Sequence, residues 1–263
     1  MHLFFKIIMA FSLIGCSHIK PIKSFNEADF SIISEDTLVI FDVDETLIQP
    51  LDSYLINEHT EQGKNFRNQI INKYRDVENW DNLTAVMLLN GKRPLLEPNI
   101  INRIQKLKDR KVKFIALSHM NTGKLDFIDE LAEWRYEHLK SLGFESNFGN
   151  NIILNVNFHN RKPLFYKGIL ATDLNKKGPI LVAFLNQINY YPENVIMFDD
   201  NLDYLESVET SLKPLNIKFF GYHYLGAKTK PWNQKIIDYQ VDYLIRYRKW
   251  LDDDQVQNKL NNM

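Results

Sequence analysis

Four consecutive apolar residues, Leu38 to Phe41, run straight into two carboxylates one residue apart, Asp42 and Asp44. Such a run reads as a buried strand that ends in an acidic site. Successive strand side chains point to opposite faces, so Asp42 and Asp44 share a face while Val43 packs away, with the two positions roughly 6 to 7 Å apart. A phosphoryl group fits between them. An Asp pair at a strand end also serves as a turn or helix cap. The rest of the chain separates the two readings, because it supplies three further polar elements at strand ends or helix starts, where open parallel sheets bind ligands.

Val112 to Ser118 is an apolar run that follows a helix-period segment, Pro98 to Arg110, and ends in the Ser118 hydroxyl. Ser118 is placed to hydrogen-bond a phosphate oxygen or to cap the next helix. Gly178 and Pro179 mark a helix start beside Lys177, where a lysine acts as a point charge on an anion that also feels the helix N-terminus. Lys176 competes for that role. Asn194 to Asp203 again drives apolar residues into acids, Asp199, Asp200 and Asp203. Acids so clustered repel unless a cation sits among them, and a hard oxygen-binding ion such as Mg²⁺ is the natural partner.

The chain has 263 residues, 44% of them hydrophobic, enough for one substantial α/β core. Lys and Arg number 32 against 33 Asp and Glu, so no global basic field points to nucleic acid. Residues 1–16 read as a short secretory signal: Leu3 to Gly15 is largely apolar and too short for the about 17 to 25 residues that span a bilayer. Leu13 to Cys16 resembles the lipobox of bacterial lipoproteins, which makes Cys16, the chain's single cysteine, the expected lipidation site. That implies a protein held in the bacterial cell envelope, on the outer membrane or periplasmic face and touching the membrane through its N-terminal lipid only, or one that is secreted. Residues 17–30 then read as a tether.

Asp42-x-Asp44-x-Thr46, Ser118, Lys177 and Asp199-Asp200, in this order, resemble the four motifs of the haloacid dehalogenase-like (HAD) phosphohydrolases over Thr37 to about Tyr224. The form of the first motif, with the lipoprotein-like N-terminus, is similar to the bacterial acid phosphatases of classes B and C. Two departures stand out: Asn121 falls three residues after Ser118, and Tyr204 sits where relatives often carry another acid. The resemblance implies a doubly wound α/β fold and Mg²⁺-dependent hydrolysis of a small phosphate monoester. Asp42 would be the nucleophile and Asp44 the general acid and base. Ser118, Lys177 and Thr46 would bind substrate, while Asp42, Asp44 through its carbonyl, Asp200 and Asp199 would form the metal site, with Asp200 the direct ligand. The alternative is a catalytically weak HAD-like lipoprotein that binds a phosphorylated ligand or a protein partner.

The catalytic domain is expected over residues 31–255, with 256–263 a disordered tail. Residues 48–93 interrupt the strand-helix rhythm with two helical stretches, Glu58 to Arg75 and Asp81 to Leu89, and read as a small helical cap insertion in which Tyr54, Arg67, Tyr74, Arg75 and Trp80 are candidate contacts. Lys124 to Leu142 carries the apolar stripe of one long helix. Ile152 to Phe158 and Leu164 to Thr172 read as a β-hairpin flap near the site, with its turn at His159 to Pro163 and with Tyr166 and Lys167 within reach of substrate. Ile217 to Tyr224 reads as a final or edge strand. Asn233 to Leu251 reads as an amphipathic helix packed on the sheet.

Overall fold

A computed structural model describes residues 19–75, 79–148, 151–154 and 161–262. Cys16, the signal sequence and the 155–160 part of the expected hairpin lie outside the described residues. Eight strands form one sheet: β1 (Ile19–Ile22), β2 (Thr37–Phe41), β3 (Lys113–Ser118), β4 (Ile152–Ile153), β5 (Leu164–Tyr166), β6 (Ile169–Ala171), β7 (Asn194–Asp199) and β8 (Lys218–Tyr224). Their order is β1-β8-β7-β2-β3-β6-β5-β4, parallel from β1 to β6 and antiparallel at β5 and β4. The chain departs from β2 in both directions, to β3 and β6 on one side and to β7 and β8 on the other. This is the doubly wound α/β fold, and the switch point lies at β2.

The alternation of strand side chains builds a core on each face. Val39, Phe41, Phe114 and Phe198 pack on one face with α4 (Ile100–Asp109), and Phe41 stacks on Phe198 with centroids 5.2 Å apart. Leu38, Ile40, Val195 and Met197 pack on the other with α6 (Lys177–Gln187) and α7 (Leu202–Leu212). β2 and β7 are buried on both faces, which is why each reads as an unbroken apolar run.

The insertion leaves β2 and returns through a two-stranded neck, where Ile48 bridges Leu95 and the amides of Gln49 and Leu51 bond the carbonyls of Pro94 and Lys92. It holds three helices, α1 (Ser53–Asn57), α2 (Glu61–Tyr74) and α3 (Trp80–Asn90). Their apolar faces do not pack on the sheet. They meet α8 (Gln234–Tyr247): Tyr54, Phe66, Leu83 and Val86 share a core with Ile237, Val241, Leu244 and Trp250. The expectation that this C-terminal helix covers the sheet is therefore corrected. A buried clasp ties the two segments, with the amide and hydroxyl of Ser53 donating to Asp253, and Trp250 Nε1 donating to Asp52 at 2.9 Å.

Four other expectations change. Residues 19–30 are not a tether: β1 pairs with β8, and Phe25 is fully buried against Phe198 and Tyr224. β8 is accordingly internal. Residues 253–261 form α9, capped by Asp252 and anchored by buried Val256, where a disordered tail was expected. The long helix shrinks to α5 (Leu131–Ser141), because Gly123 and Asp126 take positive φ and Glu130 caps the helix late. The expected hairpin pair is present, with β4 antiparallel to β5 and its turn at His159 to Pro163 partly outside the described residues, but it is no flap: a second turn at Lys167 and Gly168, both with positive φ, splits Leu164 to Thr172 into β5 and β6, which extend the sheet beyond β3. There Tyr166 donates to Glu133.

Candidate functional site

Asp42 is the first residue past β2, and its amide donates to the carbonyl of Phe198 at 2.8 Å. Phe41 is in register with Phe198, so the next residues along the two adjacent parallel strands are Asp42 and Asp199. Two carboxylates thus meet at the carboxyl ends of neighbouring strands. Asp200 follows, and one ligand atom from each of Asp42, Asp199 and Asp200 lies within 4.8 Å of the others. Asp203 does not join them: it is exposed in the first turn of α7.

Lys177 is fully buried at the start of α6 and bonds both Asp42 and Asp199, the latter at 2.6 Å. The position of α6 depends on Gly178, where a Cβ would overlap the carbonyl oxygen of Ser207 on α7. This close approach sets the choice between the two lysines, since Lys176 is exposed and Lys177 points inward. Burial opposes the charge on Lys177, but Asp42 and Asp199 outweigh it and hold the ammonium protonated. Burial raises Asp42 to about 7 against the pull of Lys177, with Asp199 and Asp44 adding to the rise. Burial, then Asp42 and Glu45, raise Asp200 to about 7 as well. One ammonium among two buried acids and the half-buried Asp200 leaves the cluster short of positive charge.

Thr46 is fully buried, and its hydroxyl accepts from the Asp200 amide at 3.0 Å. Thr46 and Lys177 are both fully buried, and each spends its polar atoms on the aspartates beside it. Asp199 is likewise consumed, with Oδ1 accepting from Asn201 N at 2.9 Å and Oδ2 from Lys177. The Asp200 carboxylate is met more loosely, with Oδ1 3.5 Å from the Thr46 hydroxyl.

A cavity of about 430 Å³ opens over this cluster, lined by Asp42, Asp44, Asp200 and Ser118. Ser118 ends β3, next to β2, so three strand ends contribute to one floor. Asp44 stands on the wall with its side chain 45% exposed, and Arg135 of α5 donates to both its oxygens at 3.1 Å. The insertion supplies the roof through Leu55, Glu58 and His59. Tyr54, by contrast, is buried in the insertion's own core, and Tyr74, Arg75 and Trp80 border a separate groove.

A family model described as protein of unknown function (DUF2608) matches residues 16–257. The chain belongs to that family. Among its similar proteins, Uncharacterized protein RP296 of Rickettsia prowazekii is 25% identical over 87% of this chain and 85% of its own length. An uncharacterized protein of Rickettsia felis is 33% identical over 52% of this chain and 50% of its own. Uncharacterized protein RC0398 of Rickettsia conorii is 32% identical over 56% and 53%. This chain thus spans about half the length of the latter two. No solved structure matches.

Three side chains of this DUF2608 cavity escape sequence reasoning. Arg135 lies in an amphipathic helix, where a charge ordinarily faces water. Arg93 follows α3 and donates from Nη1 to the carbonyls of Met87, Leu88 and Gly91. His119 borders the cavity beside Tyr204, with ring centroids 5.0 Å apart, and Tyr204 in turn lies 4.6 Å from Lys177 Nζ. No helix among the described residues is long and apolar enough to cross a membrane.

Proposed function

We propose that this chain hydrolyses a phosphate monoester through a phosphorylated Asp42, in the manner of the HAD phosphohydrolases that its motifs resemble. The observation that carries this reading is the convergence of Asp42, Asp199 and Asp200 around buried Lys177, at the ends of β2 and β7 and on the floor of an open cavity. The donor set is all carboxylate oxygen, which suits a hard divalent cation, and the raised pKa values of Asp42 and Asp200 mark a charge deficit that such a cation would fill. Asp42 and Asp200 would hold Mg²⁺, with the backbone carbonyl of Asp44, while Asp199 braces Lys177. When bound, the ion would neutralise charge on the phosphoryl oxygens.

In this reading an Asp42 oxygen attacks phosphorus as the bond to the leaving oxygen breaks, and Asp44 gives that oxygen its proton. Water then attacks the aspartyl phosphate, Asp44 takes the proton back, and inorganic phosphate departs. Ser118, on the floor, would donate to a phosphoryl oxygen. The envelope location, with a lipid on Cys16, belongs to the same proposal and is tested by mass spectrometry of the mature N-terminus.

A second reading draws on one contact: Asp44 is already engaged by Arg135 and must leave it to act as an acid. A domain that only binds a phosphorylated ligand has no need of that release. Release of nitrophenol from its phosphate ester by wild type, Asp42→Asn and Asp44→Asn decides. Turnover that disappears in a chelator, returns with Mg²⁺ and is lost in Asp42→Asn supports hydrolysis; equal rates in all three proteins retire it.

A further inference from the structure

The cavity over Asp42 has a second charged wall. Arg135 lines it and is only 4% exposed. A guanidinium carries five donors in a planar fork. Arg135 uses Nη2 alone, on Asp44, while Nε and Nη1 are buried without an acceptor. Buried donors without an acceptor are unfavourable, so an acceptor brought to them is held. Arg93, also buried, lines the same cavity from a different element. The two cations feel each other: after burial, Arg135 is the leading influence that lowers the pKa of Arg93. Burial and then Arg135 also push neighbouring His138 down to about 4. Beyond Asp42 and Asp200, the acids lining the cavity are Asp44, Glu45 and Glu58, and burial raises the pKa of Glu45 and of Glu58. Two guanidiniums lining one cavity offer a receptor for an anion with several oxygens.

We infer that this wall is a second anion subsite, so that the substrate is a phosphate monoester whose leaving group carries a further phosphate or carboxylate, held by Arg135 beside Arg93. The inference rests on the phosphatase reading above. It assigns the substrate a class: a short, doubly anionic molecule, one end at Asp42 and the other at Arg135. The cavity volume is in the range of pockets that enclose small molecules.

The test compares two ligands that cannot be hydrolysed, trimethylene bisphosphonate and propylphosphonate, titrated calorimetrically into the full chain in one magnesium buffer at neutral pH. Wild type should bind the bisphosphonate at least about tenfold more tightly. Arg135→Gln should reduce that advantage to about twofold or less. His59→Glu changes an exposed side chain of the same cavity and tests the wall without touching the core; its added carboxylate should cut the advantage severalfold. Equal affinity for the two ligands in wild type overturns the inference. So does an advantage that survives Arg135→Gln or, where that variant does not fold, survives His59→Glu. Phosphate release from trimethylene glycol bisphosphate and propyl phosphate keeps the two claims apart. Bisphosphonate preference without turnover removes the phosphatase reading alone, and turnover without preference removes the subsite alone.

Discussion

Asp42→Asn should stabilise the metal-free protein, and the gain should grow with pH. The buried Asp42 carboxyl titrates at about 7 in the fold against 3.8 for the free side chain, with burial the first cause and Lys177 opposing it. At about 1.36 kcal/mol per pH unit, ionising Asp42 inside the folded protein costs on the order of 4 kcal/mol. The sign follows from proton binding. Between about 4 and 7 the unfolded carboxyl loses its proton while the folded one keeps it, so wild type loses stability across that window; above about 7 both forms are ionised and the loss is complete. Asparagine keeps the shape and an oxygen for Lys177 without the charge. Urea unfolding in chelator should therefore give nearly equal stabilities at about pH 4 and a gap of a few kcal/mol in favour of Asp42→Asn at about pH 8. Mg²⁺ should close the gap by stabilising wild type. A gap independent of pH, or a variant less stable than wild type at the alkaline end, would refute the reasoning, because Lys177 alone would then balance the cluster.

Three further outcomes follow from the same geometry. Lys177→Met removes the ammonium bonded to Asp42 and Asp199 and should destabilise the metal-free protein by about 3 to 5 kcal/mol at neutral pH, read by urea unfolding; a loss below about 1 kcal/mol contradicts the buried triad. Gly178→Ala forces α6 away from Ser207 and should cost about 1 to 3 kcal/mol by the same assay, with an unchanged midpoint counting against the close approach. Thr46→Val removes the hydroxyl that holds the Asp200 amide and lies 3.5 Å from its Oδ1, and should weaken Mg²⁺ binding about 10- to 100-fold by calorimetry; unaltered affinity would show that Thr46 does not orient the ligand.

What was legible in the sequence was the centre of the sheet. β2, β3 and β7 are buried on both faces, so their apolar runs announce both strand and location, and the acids that follow them fall at strand ends. Pairing β2 with β7 then brings Asp42 to Asp199 with no further choice to make. Partners were harder to read than elements. The stripe of α8 says that one face is buried, yet nothing local says that it is buried against an insertion far earlier in the chain. β1 hid for a different reason: Lys20 and Pro21 make it look like a linker, although Pro is at home on an edge strand. Lys167 and Gly168 carry a turn signal that the apolar residues on either side obscured. Lys176 and Lys177 differ only through Gly178, whose missing side chain matters because of Ser207, a contact between distant residues. Arg135 left no signal, since its burial follows from where α5 docks.

The most direct test is acid quenching of the Mg²⁺-loaded protein during incubation with a phosphate monoester, followed by peptide mapping. A phosphoryl group carried by Asp42, accumulating further in Asp44→Asn because that variant lacks the group that activates water, is the result this account predicts. Turnover with no phosphoryl group on Asp42 in either protein, or with the label on another residue, would contradict it.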